Sequence, residues 1–202
     1  MAQEVKEFRG IENLVVAEVT KDASDEITFG AVEKLAGVAE LSKESESSSE
    51  THYYDNAPLI VINSQGSDTV TIQASVLSLE MVAKITGRKY DATKGMLIEG
   101  SRENKYFAIG YKTKATDGTY RYVWRLKGTF AIPNESHQTE NDGTDANGQE
   151  LVFTGIKTSH KFAGNDNDGA YAIVVDGAKT TDVDFFAAVK DPDTFQVATG
   201  NG

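Results

Sequence analysis

A chain of 202 residues, 39% hydrophobic and 9% aromatic, is long enough to bury a substantial core, most simply in one domain. Having no cysteine, it excludes disulfides, thiolate catalysis and cysteine-ligated metals, and 31 acids against 20 bases, a formal charge of −11, argue against binding nucleic-acid phosphates. No apolar run approaches the roughly 18 residues of a membrane span, and MAQEVKEFRGIENL lacks the basic and apolar portions of a secretory leader. The expectation is a soluble product that folds where it is made, with no membrane partner.

Period-two alternation punctuated by turn residues predicts a mainly β chain, a sandwich or barrel. NLVVAEVT (13–20) is the first strand, AGVAELSKESE opens a second and DTVTIQAS (68–75) is a third. LSLEMVAKITG breaks the alternation: Leu77, Met81 and Ile85 recur at i, i+4 and i+8, with Ser78 as N-cap and Gly87 as stop. That predicts one short flanking helix over about 77–87, its apolar stripe turned to the core.

KYFAIGYKTK and TYRYVWRLKG, separated by ATDG, predict a hairpin in which Asp117-Gly118 supplies the positive φ of a tight turn. In its second arm Tyr120, Tyr122, Trp124 and Leu126 share one face, expected to be core. Arg121, Val123, Arg125 and Lys127 share the other, expected to be a cationic face. TFAIP and ELVFTGIKTS predict another pair around the polar loop NESHQTENDGTDANGQ, expected to be mobile. AYAIVV and DFFAAV predict a last hairpin turning near Asp176-Gly177, and KDPDTFQVATGNG a loose tail.

Little in the chain points to chemistry. His52, His137 and His160 are far apart, and none has a second ligand at i+2 or i+4. The loops GNDNDGAYAIVV and GTDANGQELVFT invite a calcium reading, but Gly164 and Gly143 stand where the first carboxylate belongs, and Val175 and Thr154 where the final glutamate belongs. They read as turns, with weak calcium binding by another geometry as the alternative. SQGSD and GTDANG lack the lysine of a phosphate cradle, and no G-x-S-x-G elbow occurs. No catalytic residue, metal or cofactor is predicted, and the chain is expected not to be an enzyme.

The stretch LSKESESSSETHYYDN supports two readings. One is a solvated serine-rich linker. The other is a strand with Glu40, Ser42, Glu44, Glu46, Ser48, Glu50 and His52 on one side, and Ala39, Leu41, Lys43, Ser45, Ser47, Ser49, Thr51 and Tyr53 on the other. Its outer part cannot cover a core, so it would project as an arm ordered by backbone partners from another subunit. Arg121, Arg125 and Lys127 are then candidates for meeting a neighbour's acids.

The succession GIENLVVAEVT, ITFGAVEKLAGVAELSKE, YYDN, VTIQASVLSLEMVAKITG and GMLIEG, over residues 10–189, resembles the major tail proteins of phages with long non-contractile tails, in the family seen in phages of Gram-positive hosts. YYDN is similar to that family's Tyr-Ala-Asp-Asp/Asn signature, with Tyr54 where a small residue is frequent. The resemblance implies a β-sandwich or barrel with a flanking helix, similar to type VI secretion tube proteins, closing into rings of six that continue their sheets across subunits and stack into a tube. It implies a tail-tube domain over 13–189 between an N-terminal arm at 1–12 and a C-terminal tail at 190–202. A projecting hairpin at 41–59 would bring Glu44, Glu46, Glu50, His52, Tyr53, Tyr54 and Asp55 to ring stacking. The implied partners are further copies of the chain and tape measure, initiator and terminator proteins, in a virion tail assembled in the host cytoplasm. DNA would pass an acidic lumen without binding, since acids repel phosphates. The alternatives are a carbohydrate- or surface-binding β-sandwich using Tyr53, Tyr54, Tyr120, Tyr122 and Trp124 as a stacking platform, and a calcium-dependent hydrolase built on the Asp/Asn/Gly loops.

Overall fold

A computed structural model describes residues 5–134 and 148–198. Strands β1 (Phe8–Asp22), β2 (Ile27–Phe29) and β3 (Glu33–Lys34) lead into a long hairpin of β4 (Val38–Tyr54) and β5 (Ala57–Ala74). Helix α1 (Leu79–Thr86) and the small pair β6 (Lys89–Asp91) and β7 (Met96–Ile98) follow. Then come β8 (Phe107–Ala115), β9 (Tyr120–Phe130), β10 (Gln149–Gly155), β11 (Ala172–Asp176) and α2 (Asp182–Phe186). The chain is mainly β. One large antiparallel sheet runs in the order β2-β1-β8-β9-β10-β5-β4, with β3 added beside β1 and β11 beside β9.

Both faces of this sheet are covered, which is why its central strand β9 is buried nearly from end to end. On one face Leu14, Val16, Ile72, Phe107, Ile109, Val123, Leu151 and Phe153 pack beneath Val82 and Ile85 of α1. On the other, Tyr122, Trp124 and Leu126 pack with Phe162 and with Phe185 of α2. Trp124 and Phe185 are both fully buried, and burial of each such side chain contributes on the order of 1.5–3 kcal/mol. The expected alternation of β9 holds as far as Arg125. There a bulge intervenes, Ile109 pairing with Arg125 but Phe107 with Gly128, so that Gly128 and Phe130 turn to the side that Val123 faces. Gly128 is needed at that point, because a Cβ would come within 2.3 Å of the Phe153 ring and 2.4 Å of the Thr154 carbonyl.

Helix α1 lies within the expected 77–87 span and uses the expected caps. The Ser78 hydroxyl accepts from the Met81 amide at 3.2 Å, and Gly87 closes the helix at φ 67°. The ATDG hairpin forms as expected, with Gly118 at φ 87° supplying the left-handed residue and Asp117 accepting from the Thr119 amide.

Three expectations are corrected. DFFAAV is not a strand: the Thr181 hydroxyl accepts from the Asp184 amide, two acids occupy the first turn, and the segment forms α2, a second helix where one was expected. Phe185, on that helix, accepts the indole N–H of Trp124 at its carbonyl, 3.1 Å away. TFAIP and ELVFTGIKTS do pair as expected, Phe130 opposite Phe153 and Thr129 opposite Thr154, with Thr129 and Phe130 forming the end of β9. Residues 8–12 are not a free arm but the start of β1, paired along β8 from Phe8 opposite Ala115. The tail from Lys190 to Ala198 is docked, not loose. Its Asp193 carboxylate accepts from the Ala163 and Gly164 amides at 3.1 and 2.6 Å, Phe195 meets Phe185, and the Ala198 amide donates to the Lys179 carbonyl.

Candidate assembly surface

The β4–β5 hairpin has two halves with different surroundings. Residues 68–74 of β5 lie between β4 and β10, and Val70, Ile72 and Ala74 alternate inward. Beyond Asp68, β10 ends, and the two strands continue alone as a ribbon to the pair Tyr54 and Ala57. The turn between them is Asp55-Asn56, with φ 50° and 61°, the two left-handed residues of a type I′ turn whose twist matches the strands. Asp and Asn tolerate that region better than other residues with a side chain, which is why YYDN makes a turn here. The serine-rich stretch is therefore ordered, and its backbone partner is β5 of the same chain. The expectation that another subunit supplies that partner is corrected.

A bulge marks where the ribbon leaves the sheet. Ser45 pairs with Asp68 but Ser47 with Gln65, so that Gly66 and Ser67 both face Glu46. The Glu46 carboxylate accepts from the Ser67 hydroxyl at 3.0 Å and its amide at 3.4 Å, over Gly66, where a Cβ would stand 2.7 Å from the carboxylate oxygen. Immediately below lies a buried polar knot. Asp68 accepts from Arg125 Nη1 at 2.7 Å and from the Ser45 hydroxyl at 2.5 Å, with Lys43 Nζ at 3.6 Å and the Tyr111 hydroxyl 3.4 Å from Arg125 Nη2. The knot ties both ribbon strands to β8 and β9 at the root.

Glu44, opposite Thr69 at the margin of the sheet, and Glu46, Glu50, Tyr53 and Asp55 on the ribbon are exposed, and His52 is half-buried with Nε2 at 3.8 Å from Glu50. Tyr54 is described only through its backbone pairing with Ala57. The acids of β4 thus share one projecting edge, but the cations expected to form a matching face do not. Arg125 is buried against Asp68, and Lys127 is buried with its Nζ 2.5 Å from Asp22 and over the Tyr106 ring. Only Arg121 of the three is exposed, its guanidinium over the Phe8 ring at 5.0 Å. The reason is the second core: a strand covered on both faces cannot leave one face to water, so its cations are paired inside.

Two further ion networks hold the body. Lys112 reaches Asp182 at 2.6 Å and Glu12 at 3.2 Å, and the Tyr122 hydroxyl donates to the other Asp182 oxygen. Burial pushes the Tyr122 phenol up, and the bond to Asp182 adds to this, reaching about 12. Burial also opposes the charge on Asp182, but bonds from Lys112 and Tyr122 outweigh it and hold the carboxyl below its ordinary range. Asp22 follows the same logic: its burial is outweighed by Lys127 and by the Ser159 and His160 amides, both at 2.8 Å.

Among the described residues no three His, Asp or Glu side chains gather as a metal-ion cluster, and no helix is long and apolar enough to cross a membrane. The loop at 164–169 is held by local bonds, with Asp168 on Lys157 and Asp166 and Asn167 both left-handed. His160 sits edge-on to Phe162 at 4.7 Å, while residues 135–147, which include His137 and the GTDANG motif up to Asn147, lie outside the described residues. A cleft of about 290 Å³ beside α1 is lined by Lys84, Arg88 and Lys105, each already paired with an acid, Glu33, Glu99 and Glu18 respectively.

The feature that period-two reading passed over is PLIVI. Leu59, Ile60, Val61 and Ile62 are 48–65% exposed on the ribbon. Its signal in the sequence was four consecutive apolar residues following a turn, which alternation cannot register. Comparison of the chain with protein-family models and with curated proteins returns no match.

Proposed function

We propose that the chain is a self-assembling structural subunit of a tail tube, its sheet serving as the sandwich- or barrel-like wall of a ring, probed and extended by the β4–β5 ribbon. The observation that carries this reading is the ribbon itself. It leaves the body as two strands with an apolar run open to water. An isolated two-stranded ribbon is marginal in water, and exposed apolar strands invite pairing. Such a device is costly in a monomer and useful in a subunit whose neighbours cover it. Rings of six, and stacking through Glu44, Glu46, Glu50, His52, Tyr53, Tyr54 and Asp55, follow from the tail-protein resemblance, as do tape measure, initiator and terminator partners.

The charge fits the same role. Residues 44–67 carry four acids and no Lys or Arg, within a chain of net charge −11. A tube so charged lets DNA pass without adhering. The binding-module alternative loses much of its platform, since Tyr122 and Trp124 are core residues. Sizing of fresh protein, followed by negative-stain electron microscopy after concentration, tests the proposal alone and with an added tail initiator complex. Uniform rings or hollow tubes are expected. A chain that stays monomeric under both conditions refutes it.

A further inference from the structure

The two halves of β5 carry different patterns. In the half within the sheet, buried Val70, Ile72 and Ala74 alternate with more exposed Thr69, Thr71 and Gln73, as expected for a strand with one face on a core. In the ribbon half, apolar residues are consecutive. Ile60 and Ile62 stand opposite His52 and Glu50 on one face, and Val61 opposite Thr51 on the other. Leu59 is the extra residue of a bulge between His52 and Tyr53. Ile60 is 48% exposed, Val61 56% and Ile62 53%, so neither face is covered within the chain. Strands that are apolar at successive positions are those buried on both sides.

Area points the same way. The eight residues from 47 to 54 span about 27 Å at ~3.4 Å per residue, and a ribbon two strands wide therefore offers about 300 Å² per face. A stable interface needs about 800 Å² per partner. One covered face falls well short, and covering both doubles the area that the ribbon contributes to the assembly, divided between two interfaces. Residues 44–67 carry four acids and no Lys or Arg, which disfavours nucleic acid and anionic membranes as the cover. The Glu46 clamp and the Asp68 knot hold the ribbon in one direction before it meets anything, which lowers the entropic cost of insertion.

We propose that copies of this chain cover both faces of the outer β4–β5 ribbon, so that each ribbon inserts between two neighbouring subunits instead of lying on one. This rests on the self-assembly reading above. Because the chain has no cysteine, single thiols report each face cleanly. Val61→Cys and Ile62→Cys mark the two faces, and Lys94→Cys, exposed on the body, serves as control. Each variant is mixed at a small fraction into unmodified protein, so that a substitution weakening contact does not prevent assembly, and its maleimide reaction is timed before and after assembly. Both ribbon thiols are expected to slow by about tenfold or more on assembly while the control is unchanged. Assemblies in which only one ribbon thiol slows overturn the two-sided insertion and leave the subunit reading intact. Protein that never assembles overturns both. Slowing of both thiols in monomeric protein by phosphatidylcholine vesicles or duplex DNA would instead assign the ribbon to another occupant and overturn the proposal.

Discussion

Replacing Asp68 with Asn removes the carboxylate that neutralises Arg125 inside the sheet. The two side chains are only 4% and 8% exposed, at 2.7 Å, so water cannot substitute for the lost charge. Arg125 has little in reserve: Nη2 reaches Tyr111 at 3.4 Å and Nε has no partner. Leaving one member of such a pair buried and uncompensated costs about 3–5 kcal/mol. Against a typical total of about 5–15 kcal/mol, that is a large share. With a urea dependence of about 2–3 kcal/mol per molar, the midpoint falls by about 1–2 M. Trp124 is the only tryptophan and is fully buried, so its fluorescence reports global unfolding. The double variant Asp68→Leu with Arg125→Met removes both charges and is expected to recover to within about 1 kcal/mol of the parent. A shift of less than about 0.4 M for Asp68→Asn, or a double variant no better than the single, would refute the claim that the pair acts as a buried charge couple.

Stability should fall in acid because the folded pKa values of Asp22 and Asp182 are depressed: their contribution is full above the unfolded value near about 4 and disappears as pH drops through the folded values. Asp22→Asn should flatten that limb in urea titrations run from pH 6 to pH 2, at a cost of about 1–3 kcal/mol at neutral pH. In alkali the raised Tyr122 and Lys112 act together, their contribution complete below about pH 10 and lost as pH climbs toward 12. Tyr122→Phe should weaken that dependence, and an unaltered alkaline limb would count against the Tyr122–Asp182 bond. Gly128→Ala drives a methyl into the Phe153 ring and the Thr154 carbonyl, so a loss of about 1–3 kcal/mol or more is expected by thermal melting. Asn56→Gly relieves a left-handed residue and should leave the melting temperature unchanged or slightly higher, whereas Asn56→Val should make residues 47–65 exchange amide hydrogens faster.

Much of this protein is written locally. The caps of α1, the left-handed Gly118 and the Asp55-Asn56 turn each follow from a residue type whose own backbone preference or side-chain oxygen completes the structure, so neighbours in sequence were enough. The alternation of Tyr122, Trp124 and Leu126 likewise named a core face. What neighbours could not say was whether the opposite face was wet. Arg125 and Lys127 look like surface cations by type, and only the approach of Asp68, 57 positions away, and Asp22, 105 positions away, makes them interior residues. DFFAAV has the composition of a strand, yet the Thr181 cap and the pocket around Trp124 and Tyr122 make it helical. The serine-rich stretch gave parity without a partner, because strand pairing is decided by registration with a distant segment. Once β5 aligns with it, the polar half of the ribbon and the apolar run PLIVI become neighbours, and a surface that needs covering comes into being.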